Sequence, residues 1–286
     1  MRALFFAIAM LLVGATVAPH GVTPAGRVLV GYCVALKDID VAKHAGFDFA
    51  EVRTVEIAAL SDAEFDALVA RVQAIGLPTP SAYQFLPDRI NLTGPQPATP
   101  ENETAYVSRA FARLARLGVH VVGFGSGGAR RVPDGFSKSA AFDQLVAFGR
   151  RIAPIARANG LVVAIEPQRP EESNIINSAA EGLTLVDAVD DPAFQLLVDF
   201  FHMASVKEDP SVILRAGSHV RHLHMANPNG RVFPLSASEY DYAGFFSNLR
   251  AIGYSGLISV EASSANVAAD APRTIAMLRD GLAGPR

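Results

Sequence analysis

The stretch LLVDFFHMA, residues 196–204, decides the fold. It opens as a short apolar run of the kind that forms a strand buried on both faces of a parallel sheet. The run then places Asp199 and, three residues on, His202. Aspartate is among the side chains least often buried without a partner. A core strand that ends on one suits an architecture whose strand ends converge on a common site. A parallel barrel does this at its C-terminal rim.

Outward from this stretch the same unit repeats. Apolar, β-rich runs at 27–34, 47–53, 78–86, 119–127, 161–168, 194–202, 220–228 and 256–263 alternate with helical stretches. Ser61 and Glu64 open the helix 61–76 in capping-box spacing, Ser178 and Glu181 open another, and Gly160 stops a third. The basic amphipathic segment 104–118 reads as a helix with a solvated charged face. Eight strands rich in Val, Ile, Leu and Phe, each followed by a helix, predict an α/β protein with a single (β/α)8 TIM barrel. No G-x-G-x-x-G follows the first run, which argues against a dinucleotide-binding fold. The polar, Pro-rich connection 87–103 is long for its place and reads as a functional lid or a mobile segment.

Of the 286 residues, 50% are hydrophobic and 19% charged, and the formal charge is −3. This suits a globular protein with a large core and leaves no Lys/Arg block to neutralise phosphates, so no nucleic-acid partner is expected. The single cysteine, Cys33, excludes an internal disulfide and is expected to be a small buried hydrophobe. The N-terminal MRALFFAIAMLLVGATVA has an early Arg2, an apolar run to about Val13 and then small residues, the pattern of a secretory signal. The run is shorter than the roughly 20 residues of a membrane span. The expected organisation is a signal peptide over 1–25, removed on export, and a barrel over 26–286. The expected location is the bacterial periplasm, with no stable membrane span after processing.

The strand ends carry the chemistry. The fifth run ends in Glu166, the sixth in Asp199 with His202 beyond, the seventh carries His222 and His224, and the eighth ends in Glu261. Side chains alternate along a strand, so Glu166 shares a face with Ala164, Asp199 with Leu197 and Glu261 with Ser259. Small or apolar neighbours suit a barrel interior. His222 has the parity of His224 and is expected one layer deeper, as a structural partner. Each residue alone is an ordinary strand-edge or core residue. Together, three carboxylates in one barrel mouth repel, and a divalent cation resolves the conflict. The expected ligands are Glu166, Asp199, His224 and Glu261. Three oxygens and one imidazole suit a single Mn2+, with Mg2+ or Co2+ as alternatives. A closed structural zinc site would need four Cys/His-type ligands, and a single cysteine does not supply its thiols.

These residues and their surroundings resemble a known family. AIEP, LLVDFFHMA, HLHMANPNGR and GYSGLISVEA are similar to segments of the xylose isomerase-like TIM barrels, the sugar phosphate isomerase/epimerase superfamily. The resemblance runs from about residue 27 to 280, and the site order is that of ketose 3-epimerases, with separations here of 33, 25 and 37 residues from Glu166 to Asp199, His224 and Glu261 in turn. It implies a divalent-metal-dependent sugar isomerase or epimerase, abstracting a proton next to a carbonyl through a metal-stabilised enediolate. Glu166 and Glu261 would be the acid/base pair as well as metal ligands, and His202 and Arg231 would hold substrate oxygens. Glu51, Tyr83 and Gln84, on the second and third strands, are expected to face the mouth and read the sugar's hydroxyls. Gly125, Gly127 and Gly128 beside Arg130 and Arg131 read either as an anion nest for a sugar phosphate or as a turn with surface arginines.

Two other functions fit the same residues. A lyase or dehydratase acting on keto-inositol or 3-keto-glycosides would begin with the same proton abstraction. A non-catalytic periplasmic sugar-binding barrel would not need both Glu166 and Glu261. Endonuclease IV shares the barrel but needs a richer His/Glu zinc cluster and a basic groove. The expected partner is a small sugar or keto-sugar, and the resemblance leaves room for a homo-oligomer.

Overall fold

The computed structural model describes residues 28–284. The segment 1–25, read above as a signal peptide, lies outside the described residues. Eight parallel strands close into a barrel in strict sequence order, with β8 pairing back onto β1. β1 (Leu29–Val34) leads to α1 (Ile39–His44), and β2 (Phe49–Arg53) to α2 (Thr54–Ala59) and α3 (Asp62–Ile75). β3 (Ser81–Tyr83) leads to α4 (Pro100–Arg116), β4 (Val121–Phe124) to α5 (Lys138–Ala158), and β5 (Val162–Ile165) to α6 (Ala179–Val189). β6 (Phe194–Asp199) is followed by α7 (Phe200–Ser205) and α8 (Val212–Ala216), β7 (Val220–Met225) by α9 (Ala243–Ala251), and β8 (Leu257–Val260) by α10 (Val267–Ala283).

The strands feed two cores because their side chains alternate. Outward residues such as Val122, Val163, Leu196, Val198 and Ile258 join the helices in one large apolar layer. Inward, Val121, Ala164 and Leu197 form a separate small cluster inside the barrel. The polar residues of the strand ends stand above that plug. Capping works as read: Ser61 accepts from the Glu64 N–H in a full capping box, and Ser178 accepts from the Glu181 N–H.

Several boundaries differ from the reading of the sequence. The sixth strand stops at Asp199, not His202. The Asp199 carboxylate caps a new helix by accepting from the Phe201 N–H at 2.8 Å. An apolar pair such as Phe200–Phe201 cannot by itself distinguish strand from helix. α4 begins earlier than read, because Thr99 caps it and Pro100 takes the first helical position. Its basic face is not wholly solvated. Arg113 is buried, donating to the carbonyls of Ile57 and Leu60 and to Asp62. The long connection 87–103 is anchored in its middle: Leu92 N–H donates to the Ala129 carbonyl at 2.7 Å, Thr93 Oγ1 to the Arg131 carbonyl at 2.7 Å, and Gly94 exchanges two bonds with Gln144.

Candidate active site

β5, β6, β7 and β8 deliver Glu166, Asp199, His224 and Glu261 to one end of the barrel. One ligand atom from each lies within 4.8 Å of all the others. His224 Nδ1 is 2.8 Å from Glu166 Oε1 and 3.5 Å from Glu261 Oε2. Asp199 spends Oδ1 on the α7 cap, while Oδ2 is buried with no hydrogen-bond partner among the described residues. Such an orphaned carboxylate oxygen is costly unless something positive occupies the space it faces.

The electrostatics follow from the crowding. Burial and the Glu166 charge push Asp199 up to about 7. Burial also acts against the charged form of Glu261, but the His224 hydrogen bond and charge and the Arg231 charge outweigh it and bring Glu261 down to about 2. Burial opposes a charged His224 too, yet the Glu51 and Glu166 carboxylates around it raise it well above the usual imidazole value. A buried imidazole thus acts as the counter-charge that a cation would otherwise supply.

Beneath the cluster lies Glu51, which was expected at the mouth. It is fully buried. Oε1 faces His224 Nε2 at 3.2 Å, and Oε2 faces His222 Nε2 at 2.6 Å and also accepts from Ser259 Oγ. Glu51 and Arg53 have the same parity, and the barrel's stagger makes the earlier residue the floor and the later one the rim. Burial would raise Glu51, but the two histidines outweigh it and hold it well below the usual carboxylate range. His222 sits one layer down, as its parity implied. This geometry gives His224 a carboxylate behind Nε2 and leaves Nδ1 facing the cluster, the arrangement that orients metal-ligating histidines.

His202 is buried, and its Nδ1 accepts from the Arg169 N–H at 3.3 Å. The proton therefore sits on Nε2, which is 3.5 Å from Asp199 Oδ2. Burial, then the Arg231 charge, lowers His202 to about 3, so it stays neutral. Arg231 bridges Glu261 at 2.7 Å and Glu172 at 3.0 Å. Its guanidinium lies 4.6 Å from the Phe201 ring centre. Glu172 also pairs with Arg169 at 2.9 Å. The sequence did not single out Glu172, because three charged residues, Arg169, Glu171 and Glu172, share its loop and nothing in composition ranks them.

A cavity of about 470 Å³ opens above these groups, lined on one side by Glu166, Glu172, Arg231 and Glu261 and on the other by Cys33, Arg53, Tyr83 and Gln84. Cys33 is half-buried at this wall, not in the core, with Sγ 4.0 Å from His224 Nε2. Burial, then the Glu51 charge, pushes its thiol up, so it remains protonated. The glycine-rich segment is a turn with one exposed arginine, Arg131, but its other arginine, Arg130, is not at the surface. A Cβ on Gly125 would come within 2.4 Å of Glu166 Oε2, and one on Gly127 within 2.3 Å of the Glu172 carbonyl, so the turn is packed against the active-site loop. Arg130 is fully buried and donates to the carbonyls of Gly125 (2.8 Å), Glu166 (2.7 Å) and Ile175 (3.2 Å). It clamps the ends of β4 and β5 together.

Three carboxylates and an imidazole on one centre, one carboxylate oxygen among them unpartnered, fit a hard divalent cation with open positions for oxygen ligands.

Residues 39–281 match the family described as xylose isomerase-like TIM barrel. A D-psicose 3-epimerase of Ruminiclostridium cellulolyticum is 28% identical over 232 residues, 78% of this chain and 76% of that protein. An L-ribulose 3-epimerase of Mesorhizobium japonicum is 26% identical over 232 residues, 79% and 74% of the two chains. Among solved structures, a D-psicose 3-epimerase crystallised in the presence of D-fructose aligns with a TM-score of 0.73 at 22% identity over 90% of this chain and 97% of that one. A 3-keto-D-glucoside 4-epimerase from E. coli aligns at 0.74 and 20% identity over 88% and 99%. At these identities the structures speak for the fold alone. With the match running from α1 into α10 across a closed eight-stranded barrel, the chain belongs to the xylose isomerase-like TIM barrel family.

Proposed function

We propose that the protein is a divalent-metal-dependent ketose 3-epimerase. The observation that carries this reading is the meeting of Glu166 and Glu261 at one nitrogen of His224, beside the unpartnered Oδ2 of Asp199. The names of its relatives support the substrate class, since D-psicose and L-ribulose 3-epimerases align over about three-quarters of the chain. Glu166, Asp199, His224 and Glu261 would hold the cation, Mn2+ in the first instance. When bound, it supplies Lewis-acid polarisation of the substrate carbonyl.

The chain's own groups do the rest. One of Glu166 and Glu261 accepts the proton from the carbon next to the carbonyl at a carboxylate oxygen. The other returns a proton from the opposite face, which inverts the centre. Because an epimerase runs both ways, each glutamate is the base for one epimer. Arg231 holds Glu261 in line through its 2.7 Å bond and presents its remaining donors to substrate oxygen. His202 does not line the cavity; it is buried behind Asp199 and turns the Nε2–H of a neutral ring toward Asp199 Oδ2 at 3.5 Å, so it positions that carboxylate. Each well-placed acid or base contributes about 10²–10⁴-fold.

The test is turnover of D-fructose, D-tagatose and L-ribulose in D2O by the Mn2+-loaded protein. We expect deuterium at C3 of both epimers and no released fragment, and we expect Glu166→Gln and Glu261→Gln each to lose about 10²-fold or more. A released fragment from a 3-keto-glycoside would move the assignment to a lyase. Binding without turnover on every sugar would move it to a binding barrel.

The N-terminal segment 1–25 supports export, on the strength of Arg2 and the apolar run that follows. Mass analysis of the protein recovered from the periplasm should show a start between about residues 19 and 26.

A further inference from the structure

All four members of the acidic cluster come from β5–β8. The cavity wall from β1–β4 holds no carboxylate and instead carries Arg53, Tyr83 and Gln84. A sugar whose carbonyl end lies at the cluster must extend its other end across the cavity toward β2 and β3.

Arg53 is built for a fixed task there. Its Nε donates to the Tyr83 hydroxyl at 2.8 Å and its Nη1 to Glu56 Oε1 at 3.0 Å. Glu56 is itself anchored, its Oε2 accepting from the Leu36 N–H at 2.9 Å. Nη2 of Arg53 makes no hydrogen bond among the described residues. Tyr83, apart from its contact with the cavity, is buried, so the hydroxyl that aims the guanidinium is fixed as well. The next residue, Gln84, is exposed and has a φ of 49°, a left-handed conformation that a non-glycine residue adopts only under constraint. The Glu56 carboxylate balances the Arg53 charge. The wall is therefore donor-rich but neutral, which favours uncharged hydroxyl oxygens over phosphate.

We propose that Arg53, oriented by Tyr83 and flanked by Gln84, forms a distal subsite that reads the terminal hydroxyl of an unphosphorylated ketohexose. This rests on the epimerase reading and narrows its substrate class.

The experiment compares kcat/KM for a ketohexose that the Mn2+-loaded enzyme epimerises with that for its 6-deoxy analogue, in the wild type and in Arg53→Met. The wild type should prefer the hydroxylated sugar by about 10- to 100-fold, as a hydrogen bond to a charged group implies. In Arg53→Met that preference should fall to within about 3-fold, with the loss falling on KM more than on kcat. Tyr83→Phe, which removes the orienting hydroxyl and little volume, should shrink the preference in the same direction and serves if Arg53→Met does not fold. Equal losses on the two substrates would overturn the subsite while leaving the epimerase intact. A 6-phosphorylated ketose used better than the free sugar would also overturn it, because the wall would then be an anion site. A wild type inert on every ketose would overturn the epimerase reading, and the subsite with it.

Discussion

Glu51 serves two histidines with one carboxylate, and its effect at the site passes through His224. Replacing it with glutamine keeps the shape but weakens its acceptor capacity toward Nε2 of His224. Changes of this kind behind a ligating histidine lower metal affinity or activity by about 10–100-fold. We expect Glu51→Gln to remain folded and to weaken Mn2+ binding by that factor in a competition titration; unchanged affinity would assign Glu51 to packing alone. The four strand-end groups were legible in the sequence because each closes an apolar run. Glu51 closes nothing: it lies in mid-strand, two residues before Arg53, and parity reports which face a residue takes but not how deep it sits. The same ambiguity hid Arg53, since an arginine at a strand end reads as solvated.

The turn after β4 makes its contribution as an element. Arg130 ties three carbonyls together from inside the protein, with no carboxylate among its hydrogen-bond partners in the described residues. Burial brings its guanidinium down to about 10, still protonated at neutral pH. A lysine could not span the same acceptors, and each buried carbonyl left unpaired costs about 1–3 kcal/mol. Arg130→Lys should therefore lower Tm by several degrees, at roughly 2–4 °C per kcal/mol for a chain of this size. It should also weaken Mn2+ binding, because the Glu166 backbone is one of the groups released. A comparable loss of Tm from Leu278→Ala, on the buried face of α10, should leave metal binding unchanged. At this scale the sequence showed the eight-fold alternation clearly, since buried parallel strands are nearly continuous in apolar residues. It did not show α2 or α7. Neither has the glycine that closely follows the equally short α1 and α8, and a strand-end aspartate looks the same whether it caps a helix or enters a loop.

For the whole molecule, the site and the stability are linked through pH. Asp199 has its folded value raised from 3.8 to about 7, so in the metal-free protein its contribution to stability is fully present below about pH 4 and is lost as pH rises toward 7. Glu261 works in the opposite sense. Lowered from 4.5 to about 2, it adds stability above about pH 4.5 that disappears as pH falls toward 2. A cation held by Asp199 would take its ionised form and so reverse the loss on the alkaline side. The gap in Tm between Mn2+-loaded and metal-free protein should therefore widen from pH 5 to pH 8 at fixed Mn2+, read by differential scanning fluorimetry. A gap that stays constant would mean that Asp199 takes no part in holding the ion.

The plug of Val121, Ala164 and Leu197 has its own consequence for traffic. It fills the barrel below the acidic cluster, so among the described residues the chamber has a packed floor and gives no passage through the barrel. Whatever enters has to back out the way it came before another molecule can take its berth. Either epimer, offered in excess, should therefore behave as a simple rival of the other for the same free enzyme.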